Sequence, residues 1–131
     1  MTRRAIILVV ERDPHVRELE SYFLKEAGYG VEFADDGLAA LELARTLRPR
    51  IVITEILVPK LDGLALCRKL KEEPSTRHIT VLIFSLLLAA DRAREAGADA
   101  FLRKPLGERR LVDTVRALLA ERADNSGKES G

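Results

Sequence analysis

Tryptophan is absent and cysteine occurs once, at Cys67, so the chain has no indole fluorophore and cannot form an internal disulfide. No apolar run is long enough to cross a bilayer. The basic start Met1-Thr2-Arg3-Arg4 precedes an apolar run, Ala5 to Val10, that is too short for a signal-peptide core and is followed at once by Glu11-Arg12-Asp13. The cytoplasm is the expected compartment. Net charge is also nearly missing, with 22 basic residues against 21 acidic ones for a formal +1. That balance gives no general reason to expect nucleic acid or an anionic membrane as partner. His15 and His78 stand alone, without the spacing of a metal site. No glycine-rich phosphate loop is present.

What remains is ordinary for one globular domain: 131 residues, 47% of them apolar and 33% charged. Short apolar runs alternate with helix-like segments. Ile6 to Val10 is largely β-branched and lacks polar alternation, the pattern of a strand buried on both faces. Asp13-Pro14 then opens a helix, Asp13 as its cap and Pro14 at its first position. Val16, Leu19, Phe23 and Ala27 form the expected apolar stripe, and Gly28 the stop. Val31 to Ala34 reads as a second strand, and Asp36-Gly37 precedes a helix carrying Leu38, Leu41 and Ala44 that ends near Arg48-Pro49.

Ile51 to Thr54 is the third strand, with Glu55 at its end, and a helix from about Leu64 to Glu72 follows Pro59, Asp62 and Gly63. Thr80 to Phe84 is the fourth strand, ending at Ser85. Ala89 to Ala96 reads as a short helix stopped by Gly97. Ala100 to Leu102 is the fifth strand, followed by Lys104-Pro105. The last helix runs from about Glu108 to Glu121, with Leu111, Val112, Val115, Leu118 and Leu119 on one face and Arg109, Arg110, Arg116 and Arg122 as a solvated face. Residues 1–122 form the expected domain; residues 123–131 read as a disordered tail or linker stub.

Five strands each followed by a helix imply an α/β fold, a parallel sheet with helices on both faces. In such sheets chemistry gathers at the carboxyl ends of the strands. Glu11, Arg12, Glu55, Ser85 and Lys104 all fall at such ends, far apart in sequence but expected on one rim.

Several separated segments carry a family likeness. Ile7 to Pro14, Glu55 to Gly63, Ser85 and Gly97 to Pro105 resemble, in order, the first strand and acidic turn, the phosphoacceptor segment with its Asp-Gly pair, the switch hydroxyl, and the Gly-Ala-Asp, aromatic and Lys-Pro elements of the response regulator receiver domain. The likeness covers about residues 4 to 121. It implies a doubly wound, CheY-like sheet of order 2-1-3-4-5. It also implies a site in which an aspartate takes a phosphoryl group, two acids after the first strand hold magnesium, and a hydroxyl and a lysine hold the phosphoryl oxygens.

The chain departs from that pattern at two positions. Glu55 stands at the acceptor, and Arg12 stands at the second acid, reversing its charge. Glu11, Ser85, Phe101 and Lys104 keep the pattern. An arginine cannot ligate magnesium and repels it. The expectation is therefore a site without metal or cofactor, in which Arg12 faces Glu11, Glu55 or both rather than standing as a solvated surface arginine, and Glu55 accepts a charge-assisted hydrogen bond from Lys104 or Arg12. Two roles stand open for Glu55: mimicry of a phosphorylated aspartate, or the anion of a retired site. Phe101, without a tyrosine hydroxyl, is either core packing or an output-surface aromatic. Asp13 is expected to cap a helix and Cys67 to be an ordinary helix residue.

From Ser85 to Gly97 the segment is about three residues shorter than receivers usually have, so the fourth helix is expected to be truncated to about two turns or displaced. The expected function is non-enzymatic: an atypical receiver acting as a phosphorylation-independent module that binds a protein partner, a histidine kinase or a downstream signalling protein, with a homodimer as a further option. Direct nucleic-acid or membrane binding is not expected. The competing functions are a phosphorylatable receiver and a small-molecule sensor on the same rim.

Overall fold

The computed structural model describes residues 4–105 and 107–130, with the side chains of Glu108 and residues 122–130 left aside. The basic start at residues 1–3, the Arg122 side chain and Gly131 lie outside it. Strands and helices alternate along the whole chain: β1 Ile6–Val10, α1 Pro14–Glu26, β2 Gly30–Ala34, α2 Gly37–Leu47, β3 Ile51–Thr54, α3 Gly63–Glu72, β4 Thr80–Ser85, α4 Ala90–Glu95, β5 Ala100–Arg103 and α5 Glu108–Ser130. The strands form one parallel sheet in the order β2-β1-β3-β4-β5, as the resemblance implies. No helix among the described residues is long and apolar enough to cross a membrane.

The unalternated strands are apolar throughout because both faces of the sheet are covered. Leu8 and Val10 of β1, Val52 of β3, and Val81 and Ile83 of β4 point into the core beneath α2, α3 and α4. Their neighbours Ile7, Val9, Ile51, Ile53, Leu82 and Phe84 point into a second core with Leu24 of α1 and Leu111 and Val115 of α5. The period of two thus splits each strand between two layers.

Asp13, Asp36 and Asp62 cap α1, α2 and α3, each accepting from the backbone of the first turn. Asp13 takes the His15 amide at 2.9 Å, the expected capping role. Gly28, at φ +101, lets the chain turn after α1 as expected. Gly63 is required for a different reason: a Cβ there would lie 2.3 Å from the Glu55 carbonyl oxygen, so only glycine lets α3 start this close to the end of β3.

Three helices differ from the expected pattern. In α1 the stripe is rotated. Leu19 is 56% exposed, while Glu20, Ser21 and Leu24 are buried. The inward row is Val16, Glu20 and Leu24, an i, i+4 series whose middle member is charged, and that charge disguises it. In α2, Leu38 is exposed and Ala40 joins Leu41 and Ala44 inside. The helical backbone of α5 continues past Glu121 to Ser130, where no proline stops it. α4 has 6 residues, in line with the expected truncation.

Candidate functional site

The parallel register brings the strand ends level. Val10 pairs with Thr54 across β1 and β3, and Ser85 with Arg103 across β4 and β5. The Glu55 amide donates to the Val10 carbonyl at 3.1 Å, and the Lys104 amide to the Ser85 carbonyl at 2.8 Å. Glu11, Glu55, Ser85 and Lys104 therefore meet on the rim, as expected from their positions, and all four are buried or nearly so.

The Glu55 carboxylate is the centre of the cluster. Its Oε1 accepts from the Ser85 hydroxyl and from the amides of Ile56 at 3.0 Å and Leu57 at 3.3 Å. Its Oε2 accepts from Lys104 Nζ at 3.0 Å and from the Leu86 amide at 3.3 Å. Burial pushes the Glu55 carboxyl up, but the hydrogen bonds from Ser85 and Lys104, with the lysine charge, outweigh it and hold the group below its ordinary range. The same geometry acts on Lys104 in reverse. Burial lowers it, and its bonds to Glu11 and Glu55 raise it further, so the ammonium stays charged.

Lys104 also donates to Glu11 Oε1, while the Asp13 amide donates to Glu11 Oε2 at 3.0 Å. The ammonium thus bridges two buried carboxylates, and it lies 5.3 Å from the centre of the Phe84 ring. This corrects the expectation for Arg12. Its side chain is exposed and makes no ion pair with Glu11 or Glu55; the bridging cation comes from Lys104, 93 residues further along the chain than Glu11. Of the two cations, Lys104 and not Arg12 donates to Glu55. Lys104 follows directly on β5 and its ammonium reaches both carboxylates, whereas Arg12 begins the turn leaving β1 and is exposed.

The residue set departs from the magnesium-holding pattern of the resemblance, with Arg12 in place of the second acid. Both oxygens of Glu11 and both of Glu55 are committed to N–H or O–H donors. Arg12 supplies no ligand. Among the described residues, no group of three or more acidic, histidine or cysteine side chains is placed to hold a metal.

Phe101 is half-buried and packs against the core beneath α2–α4. Cys67 is buried in α3, its thiol donating to the Ala96 carbonyl at 3.4 Å, and burial pushes its pKa up to about 11. Sequence reasoning missed Glu20. It is 6% exposed and faces the sheet from α1. Burial is the main cause that raises its carboxyl to about 8; Lys104 opposes this, and Glu11 and Glu55 add to it. The i, i+4 row through Val16 and Leu24 was the one signal that could have found it.

The receiver-domain resemblance is matched by comparison with known proteins. The sequence profile described as response regulator receiver domain matches residues 7–116. The transcriptional regulator RpaA of Synechocystis is 34% identical over 129 residues, covering 95% of this chain and 54% of RpaA. The response regulator MprA of a Mycobacterium strain is 38% identical over 130 residues, again covering 95% of this chain and 54% of the relative. The chain therefore spans about half the length of these curated relatives. Among solved structures, the signal receiver domain of a signal transduction histidine kinase from Syntrophus aciditrophicus superposes with a TM-score of 0.83 at 36% identity, covering 89% of this chain and 91% of that one. On the fold, the rim geometry and these matches, the chain belongs to the response regulator receiver domain family.

Proposed function

We propose that this receiver domain of two-component signal transduction works as a phosphorylation-independent protein-interaction module, held in one state by Glu55. The observation that carries the reading is the filling of the anion site. Ser85, Lys104 and three backbone amides converge on the Glu55 carboxylate. In a working receiver a hydroxyl and a lysine of this kind hold phosphoryl oxygens. Here the longer glutamate carries its own oxygens to such donors, so nothing is left to receive a transferred group. Magnesium binding is negligible on this reading, because Lys104 bridges Glu11 and Glu55 and Arg12 stands in place of a second acid. The fixed anion carries less charge and fewer acceptors than an aspartyl phosphate, so the state it holds is single and unswitched.

Receiver domains interact with histidine kinases. The partner expected here is a histidine kinase or a downstream signalling protein that reads a constant surface. Incubation with magnesium and acetyl phosphate, followed by intact mass measurement, tests the reading. The expected result is no gain of a phosphoryl group. Stoichiometric, magnesium-dependent phosphorylation of the unmodified protein would overturn it and favour a conventional phosphoacceptor.

A further inference from the structure

Beside the rim, on the α1 and α5 side of the sheet, lies a cavity of about 290 Å³. Its walls are apolar: Val16, Leu19 and Phe23 of α1, Phe84 and Leu86 from the end of β4, and Leu111 of α5. Two charged side chains interrupt that lining, Glu20 and Lys104. They are not equivalent. Lys104 is already bonded to Glu11 and Glu55, whereas Glu20 makes no hydrogen bond or ion pair among the described residues. Among those residues no fully enclosed side-chain oxygen or nitrogen lacks a partner. Glu20 is 6% exposed and is one of the residues that line the cavity.

We infer that this cavity is a binding site for a small hydrophobic amine, whose ammonium head meets the Glu20 carboxylate while its apolar body lies against Phe23, Phe84 and Leu111. The one rim carboxyl without a hydrogen-bond or ion-pair partner among the described residues selects the head. Glu11 and Glu55 share the Lys104 ammonium, whereas Glu20 keeps its proton near neutral pH while the cavity is empty. An anionic ligand would find Lys104 already engaged and would hold Glu20 in its neutral form. A neutral apolar ligand would fill the volume and leave the buried carboxyl unpartnered, which is costly. An ammonium head supplies the missing partner, Glu20 releasing its proton to solvent as the ion pair forms. The cavity's size restricts the body to roughly a single ring or a short alkyl chain, at the small end of ligand pockets. The site adjoins the Glu55 cluster through Lys104 and Leu86, and occupancy would alter the surface between α1 and the Lys104 loop without any phosphoryl transfer.

Phenethylamine is a suitable probe, and 2-phenylethanol is its neutral counterpart. Titration of the nitrogen-15-labelled protein followed by amide chemical shifts reads affinity and location together. The expected result is saturable shifts around Phe84, Leu86 and Leu111 with the amine, at least about tenfold weaker binding of the alcohol, and at least about tenfold loss of amine affinity in Glu20→Gln. In Glu20→Gln the alcohol should bind as it does to the unmodified protein. Val16→Phe, which fills the cavity and keeps Glu20, should abolish saturation by the amine, and dispersed spectra of both variants verify that they fold. The proposal is overturned if Glu20→Gln binds the amine unchanged, if the alcohol binds as tightly as the amine, or if no saturable shift maps to the cavity.

Discussion

Glu20→Gln should stabilise the protein, by an amount that depends on pH in a defined way. The unfolded chain holds Glu20 near its ordinary value of 4.5, and the folded protein holds it near about 8. Below the unfolded value the carboxyl is protonated in both states and folding is not penalised. Between the two values the unfolded state ionises freely while the folded state keeps the proton, so stability falls by about 1.4 kcal/mol per pH unit. The loss should be about 3 kcal/mol at pH 7 and level off near about 5 kcal/mol above the folded value. Glutamine keeps the shape and cannot ionise, so the variant escapes this loss. Urea denaturation of both proteins at pH 4.5, 6, 7 and 8.5 measures it. The stability difference should rise across the series and then flatten. A difference that does not change with pH would refute the reasoning, because it would mean that Glu20 ionises as freely in the folded protein as in the unfolded chain.

Other expectations follow from the same geometry. Lys104→Met should cost roughly 3–5 kcal/mol in urea denaturation, since it leaves Glu11 and Glu55 as buried carboxylates without their bridge; a loss below about 1 kcal/mol would contradict the bridging role. Gly63→Ala should destabilise by at least about 2 kcal/mol, because the added methyl meets backbone that cannot step aside; an unchanged thermal midpoint would show that the start of α3 can shift. The Glu55 contribution has the opposite pH sign to that of Glu20: its lowered pKa gives stability that is present above the ordinary carboxylate range and lost as pH falls through the lowered value. Glu55→Asp alone should not restore magnesium-dependent binding of beryllofluoride, followed by calorimetry, whereas Arg12→Asp with Glu55→Asp should, by freeing Ser85 and Lys104 and adding a second acid. Binding by the single variant would show that Arg12 is no obstacle.

Much of the molecule is set locally and was legible in the chain. β-branched runs without polar alternation marked strands covered on both faces, and Asp13 before Pro14 marked the cap of a helix; the structure shows Asp36 and Asp62 capping α2 and α3 in the same way. Strand ends also had to share one rim, because parallel strands run in register. Tertiary structure alone decided which charges meet there. Arg12 and Lys104 are both cations at strand ends, and local pattern cannot rank them; the choice depends on the direction each stem takes from its backbone and on how far the head must leave water. The rotation of α1 was hidden for a related reason. Hydrophobic period assigns the inward face by apolarity, yet the rim already holds Lys104 with its positive charge beside the apolar wall, and a carboxyl can be tolerated inside when it stays protonated or finds a cation. Glu20 is buried because α1 packs against the sheet with Leu24 inward, and the side chain one turn earlier has to follow.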